Sequence, residues 1–246
     1  MHRQDPYRSF ASRYDAFEGR SDLRASFFEA LFREHQVLSL LDCACGTGND
    51  LLLFDSLGFD VVGSDLSESM VAEARRKIEV AGAEIALAVA DFRELETHFD
   101  EPFDAVTCLS TSLPHLLEEA EIVRALRSMR AVLRPGGILV LDQGMTDRQW
   151  EAKPRFLPAI NTPNLSRLMA IDYGDETFTV HVLDFAGGEN ERTFHHDTFI
   201  YRRLLGDDYL RVLEDAGFRL IRLLGGFDGA PYSRNESPRL IAVAEG

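Results

Sequence analysis

Residues 41–54 read LDCACGTGNDLLLF: an apolar run ends in Asp42, Gly46 and Gly48 stand one residue apart, and a stretch suited to a helix follows. A strand that passes through a glycine turn into a helix opens a parallel α/β unit, and the turn's backbone N–H groups face the ligand side of the sheet. The same alternation extends in both directions. Upstream, SDLRASFFEALFREH carries Leu23, Phe27, Ala30 and Leu31 at helical spacing, with Ser21 placed to cap it, and residues 37–41 form a short apolar strand. Downstream come a second strand (DVVGSD) and a helix (LSESMVAEARRKIEVAG) with Ser67 at its N-cap and Gly82 at its end. A third strand (EIALAVAD), a fourth (FDAVTCLS), a helix that stops before RPGG, and a fifth strand (GILVLD) complete the series. This order predicts an α/β fold, a doubly wound parallel sheet with helices on both faces.

The period changes after Gly144. SRLMAIDYG, ETFTVHVLDF and RTFHHDTFIYRRL alternate and are rich in aromatic and β-branched residues, which predicts a small antiparallel β insert of three strands. The helix GDDYLRVLEDAG then leads to FRLIRLLG and PRLIAVAEG. These last two strands lie too close together for a helical crossover, so an antiparallel final hairpin is expected at the sheet edge.

The chain has 246 residues, 45% of them hydrophobic, enough to bury a core as one large domain. Lys and Arg number 26 against 41 Asp and Glu, a net charge of −15, which repels a phosphate backbone. Nucleic acid is therefore not an expected partner. No run of about 18 apolar residues suggests a membrane span, and MHRQDPYRSF lacks a signal-peptide core. Three cysteines are too few for a disulfide framework, so a reducing, cytoplasmic location is expected.

The strand ends define what the turn can hold. They are Asp42, Asp65, Asp91, Ser110 and Asp142, four of the five being carboxylates. A dinucleotide fingerprint needs a third glycine where this chain has Leu51, and no Lys-Ser/Thr follows to make a phosphate loop. Asp42 and Asp50 would also repel a pyrophosphate. A cationic adenosyl ligand, S-adenosylmethionine, suits acidic strand ends better. The glycines let the backbone approach it without a Cβ. Asp65, at the end of the second strand, is placed to accept ribose hydroxyls. Met70 could lie against the adenine, and Asp91 could accept its amino hydrogen.

The run LDCACGTGNDLLLFDSLGFDVVGSDLSESM resembles the first two motifs of class I S-adenosylmethionine-dependent methyltransferases, and VADF, FDAVTCLSTSLPHL and LRPGGILVLD resemble later ones in order. Within that class the chain is most similar to glycine N-methyltransferase-like enzymes and amino-sugar N-methyltransferases. The resemblance implies a Rossmann-like, seven-stranded, mostly parallel sheet and an enzyme whose product is S-adenosylhomocysteine. It implies a cofactor pocket of Ala44, Gly46, Gly48, Asp65, Leu66, Met70, Asp91, Phe92 and Leu109. It also implies that Tyr7, Tyr14 and Arg20 fold over the methionine end, Arg20 pairing with its carboxylate. Residues 1–246 then make a single methyltransferase domain: an N-terminal lid and helix (1–36), a cofactor-binding core (37–144), the insert as a substrate cap (145–204), and a closing helix and strands (205–246). One departure stands out: glycine-methylating relatives carry an arginine just after the fifth strand, where this chain reads DQGM with Gly144. A small amino-acid carboxylate would lack that bidentate clamp, so glycine is not the expected acceptor.

Methyl transfer from a sulfonium is an in-line displacement that asks chiefly for alignment and exclusion of water. The expected acceptor is the amine nitrogen of a small molecule. A hydroxyl acceptor, which needs a positioned base, and a non-catalytic module that senses the cofactor are the alternatives. His115, in LSTSLPHL, is the candidate base; its structural alternative is packing or capping of the helix that starts near Glu118. No Asn/Asp-Pro-Pro-aromatic run follows the fourth strand, as in nucleic-acid amino-methylating enzymes. No metal site is expected: CAC (43–45) reads as small residues lining a tight turn, and His195 and His196 would point to opposite faces of a strand. One of them, or Tyr201, could line the substrate cavity. Trp150 and Phe156 belong either to the substrate wall or to packing under the insert, and the insert could pair two copies into a homodimer.

Overall fold

Leu40 and Leu41 are both fully buried on a four-residue strand, as a central strand covered on two faces requires. The computed structural model describes residues 5, 7–17, 22–188 and 191–246. A helical turn (Ala11–Phe17) and α1 (Asp22–Glu34) precede this strand, β1 (Ser39–Asp42). The alternation continues with α2 (Asn49–Ser56), β2 (Asp60–Asp65), α3 (Glu68–Ala81), β3 (Ala86–Val89), β4 (Phe103–Cys108), α4 (Glu119–Ala131) and β5 (Leu133–Gln143). Then come α5 (Asp147–Ala152), β6 (Phe156–Thr162), β7 (Leu165–Tyr173), β8 (Thr177–Ala186) and β9 (Thr193–Arg202). The chain closes with α6 (Gly206–Asp215), β10 (Arg219–Leu224) and β11 (Leu240–Glu245).

The large sheet has seven strands in the order β10-β11-β5-β4-β1-β2-β3. Its pairs are parallel except those of β11, which runs antiparallel to both β5 and β10. The final hairpin is therefore present, with β10 at the edge. Strand order reverses between β1 and β4, so the glycine turn after β1 sits at the point where such sheets hold ligands. Apolar residues of α4 and α6 cover one face, and those of α1, α2 and α3 the other. On the second face Phe28, Phe32 and Phe54 are fully buried, their ring centroids 5.0–5.5 Å apart. The caps follow the sequence reading: the Ser67 hydroxyl accepts from the Met70 N–H, and Gly82 ends α3 in the left-handed region at φ +68°. Ser21 lies outside the described residues.

The insert corrects the expectation of three strands: it is a four-stranded antiparallel sheet, β6-β7-β8-β9. The missed strand, FLPAINT, contains Pro158, which cannot donate to a ladder and is tolerated here because β6 is an edge strand. Its register shifts between Leu157 and Ile160, on either side of the proline. The short helix α5 was also unread; Thr146 and Gln149 close it with a reciprocal capping box.

The inner face of the insert packs on the N-terminal segment. Phe10 is buried with Met169, Val182 and Phe199. A buried ion network fixes this contact. Arg167 and Asp184 have no exposed side-chain surface, and Arg167 donates twice to Asp184, each time at 2.7 Å. Arg13 joins Asp184 and reaches Asp197 at 2.9 Å, and Arg167 also donates to the Arg13 carbonyl at 2.8 Å.

Candidate active site

The two glycines of the turn do different things. Both have positive φ, +53° at Gly46 and +83° at Gly48, where an L side chain is strained. A Cβ on Gly48 would lie 3.1 Å from the Ala74 Cβ, so this glycine lets α2 start close against α3. A Cβ on Gly46 would meet Tyr14 Cε1 at 3.9 Å, so Gly46 faces the aromatic cover of the cleft. The Gly46 N–H donates to Asp65 Oδ2 and the Ser67 N–H to Asp65 Oδ1, each at 2.9 Å. These bonds hold the carboxylate at the end of β2 against the turn. Burial pushes the Asp65 carboxyl above its ordinary range, and the two N–H donors oppose that rise.

Ala44 and Leu109 line the cleft with Tyr14, Gly46 and Ser110. The other expected residues are placed less uniformly. Met70 is 2% exposed and packs inside the fold, whereas Leu66 is 56% exposed at the rim. Asp91 is gripped by Arg93, which also reaches Glu121, and Phe92 packs against the buried core. Arg20 lies outside the described residues. Cys43, Cys45 and Cys108 are buried and unbridged, and burial pushes the Cys43 and Cys45 thiols up, as inert packing residues require. Among the described residues no group of three or more His, Cys, Asp or Glu could hold a metal ion.

The ring of free carboxylates expected from the strand ends is corrected. Asp42 is buried, and burial, with Asp50 nearby, raises its carboxyl well above the ordinary range. Asp50 is itself bonded by Arg24, at 2.6 Å and 3.1 Å. Asp142 lies inside β5 with no exposed side-chain surface, 2.6 Å from Arg239 and 3.5 Å from Arg24. Most of the strand-end charge is thus compensated internally, because a bare carboxylate in this interior would be costly. The carboxylate that lines the cleft is Asp50; Asp65 stands behind the turn at the end of β2, held by the Gly46 and Ser67 N–H groups.

Three features gave no local sequence signal. Ser110 and Thr111, just beyond β4, both have positive φ, +57° and +69°. Such non-glycine residues cost about 1–3 kcal/mol each and persist where the surroundings hold them. Asp142 does the holding: its carboxylate accepts from the Ser110 N–H and its carbonyl from the Thr111 N–H. Asp15 fastens the cover to the turn, accepting from Thr47 at 2.6 Å and Asn49 at 3.0 Å and pairing with Lys77. Asp5 accepts from Ser67 and Ser69, at 2.8 Å and 2.7 Å.

His115 closes the other side. Its Nε2 is 2.7 Å from the Tyr7 hydroxyl, and its ring centroid is 4.4 Å from that of Tyr201. Tyr7 in turn stacks on Phe199 at 4.9 Å. Desolvation in these aromatic surroundings pulls the imidazole down to about 4, so it is neutral at pH 7. The histidine bonds to the N-terminal segment through this side chain. His195 shares the inward face of β9 with Asp197, Phe199 and Tyr201; His196, on the outward face, lies 3.1 Å from His181.

This arrangement has counterparts of known activity. The methyltransferase domain family matches residues 40–137. The dTDP-3-amino-3,6-dideoxy-alpha-D-glucopyranose N,N-dimethyltransferase of Streptomyces fradiae is 30% identical over 237 residues, which cover 87% of this chain and 86% of that protein. The chain belongs to the class I S-adenosylmethionine-dependent methyltransferases. The glycine/sarcosine N-methyltransferase of Aphanothece halophytica is 27% identical to this methyltransferase over 253 residues, 99% of this chain and 91% of that one. An S-adenosylmethionine-dependent methyltransferase from Clostridium acetobutylicum ATCC 824 shares the fold at a TM-score of 0.84 and 17% identity, over 97% of this chain and 98% of the other.

S-adenosylmethionine is the cofactor, and its sulfonium makes the methyl group electrophilic. The site fits it on the chemistry of its donors: a left-handed glycine with no Cβ on the ligand side, and next to it a carboxylate suited to a vicinal diol. Under Tyr14 the cleft of the methyltransferase encloses about 20 Å³, room for about one water. Among the described residues no helix is long and apolar enough to cross a membrane.

Proposed function

We propose that the methyltransferase acts on the amine nitrogen of a small molecule. In this reading Asp65 accepts the ribose hydroxyls, while Ala44, Gly46 and Gly48 offer backbone to the ribose and methionine. Leu109 packs beside the reacting end, and Leu66, Met70, Asp91 and Phe92 surround the adenine. Tyr7 and Tyr14 cover the cofactor, and the insert roofs the acceptor.

The observation that carries the reading is the neutral His115, with its pKa near 4. A hydroxyl acceptor needs a base in position, and His115 is a weak one whose Nε2 is already engaged by the Tyr7 hydroxyl; an amine needs no base to attack, only a place for its proton afterwards. The bonded Tyr7–His115 pair can hold the amine so that its lone pair lies along the methyl–sulfur axis. Both relatives bear N-methyltransferase names. Glycine is disfavoured, since Gly144 supplies no guanidinium where glycine-methylating enzymes have one.

The test is cofactor consumption with matched panels of primary amines and alcohols. Amines should turn over and alcohols should not. Between pH 6 and 9 the rate should rise as the acceptor ammonium loses its proton to give the nucleophilic amine, because His115 is already neutral throughout that range. His115→Ala should lower kcat by about 10–100-fold while S-adenosylhomocysteine affinity stays unchanged. Turnover of alcohols alone, or full activity in the alanine variant, would refute the assignment.

A further inference from the structure

Trp150 is the single tryptophan of the chain and stands on α5, just after β5. Two cations flank its ring: the Arg203 guanidinium carbon is 5.7 Å from the ring centroid and Lys153 Nζ is 5.6 Å away. The chain has a net charge of −15, and nearby arginines have carboxylate partners. Arg155 pairs with Asp172, Arg167 with Asp184, and Arg202 with Glu119. Arg203 and Lys153 form no ion pair among the described residues, and Arg203 Nε is buried without a hydrogen-bond partner. That Nε–H is a donor which an anion could satisfy.

Its position connects it to the acceptor side. Arg203 stands one residue past the end of β9, two residues after Tyr201. Tyr201 faces His115 at 4.4 Å and stacks on Phe178 at 5.1 Å, and Phe178 lies 6.5 Å from Trp150. An aromatic path thus runs from the candidate reaction centre to the two cations. Around Gly144 the space is open: an added Cβ would meet nothing within 4 Å.

We infer that Arg203 and Lys153, stacked on Trp150, form a subsite for an anionic group of the acceptor, a carboxylate or a phosphate. The inference rests on the amine-acceptor reading and narrows it to amines that also carry a negative charge some distance from the nitrogen. Arg203 supplies a planar fork that matches either group, and Lys153 a mobile point charge. The charge that glycine-methylating relatives supply just after the fifth strand comes here from the residues that follow β9 and α5.

Trp150 is its own reporter, since all tryptophan fluorescence arises from it. The full chain is titrated with sodium acetate, phosphate and pyrophosphate, each against sodium chloride at equal ionic strength. The subsite predicts a saturable fluorescence change with at least one of the three, and their relative affinities tell carboxylate from phosphate. Arg203→Gln should weaken that binding about tenfold or more, Lys153→Gln by less. Calorimetry with S-adenosylhomocysteine should give the same affinity for Arg203→Gln as for the unaltered chain, which shows that the variant is folded. No response beyond that of chloride, or equal anion affinity in Arg203→Gln, would overturn the subsite. Failure of the unaltered chain to bind S-adenosylhomocysteine would instead strike the methyltransferase reading beneath it.

Discussion

Asp184→Ala is expected to destabilise the protein by about 3–5 kcal/mol. Asp184 is fully buried and accepts two bonds from Arg167, which is buried as deeply. Removing the carboxylate leaves a guanidinium inside the insert with its counter-charge gone, and such a charge is costlier than the lost bonds alone. Arg13 also loses a partner, so the N-terminal segment loosens from β7, β8 and β9. Urea denaturation measures the loss. The double variant Arg167→Met/Asp184→Leu should recover much of it, because an apolar pair of similar volume needs no compensation. A loss below about 1 kcal/mol for Asp184→Ala would mean that the ion network does not hold the segment in place.

The second large effect is at Asp65. Asp65→Ala should weaken S-adenosylhomocysteine binding by about 100-fold, since charge-assisted hydrogen bonds contribute roughly 1.5–3 kcal/mol each. Asp65 also anchors Gly46 and Ser67 through their N–H groups, so the alanine variant disturbs the turn as well as the ribose contact. Asp65→Asn is the milder change. It keeps the side-chain shape and one acceptor oxygen, but its NH2 group must face either the Gly46 or the Ser67 N–H, so it should weaken binding about tenfold and lower thermal stability less than the alanine variant does. Unaltered affinity in both variants would remove Asp65 from the site.

The residues that were legible in the sequence act on their near neighbours. The strand–turn–helix of residues 41–54, the Ser67 and Gly82 caps and the closing hairpin follow from periodicity and local backbone chemistry, and the fold has all of them. The edge strand β6 was hidden because Pro158 weakens any strand signal. Electrostatics was misread for a different reason. Asp142 and Arg239 are 97 residues apart, so that strand-end carboxylate reads as free, and Asp50 on α2 is paired with Arg24, 26 residues away; the partner of Asp91, Arg93, is only two residues on. The contact of Tyr7 with His115 spans 108 residues and engages the nitrogen of the candidate base, while burial under the aromatic cover weakens it. Ser110 and Thr111 gave no warning of their left-handed backbone, since neither is glycine and the carboxylate that holds the loop belongs to another strand.

The central claim is that the glycine turn and Asp65 select a sulfonium-bearing adenosyl ligand over a pyrophosphate dinucleotide. Isothermal calorimetry on the unaltered chain tests it directly, with S-adenosylhomocysteine in one titration and NAD in another. Saturable binding of S-adenosylhomocysteine with no heat from NAD is the predicted result; tight binding of NAD with none of S-adenosylhomocysteine would contradict it.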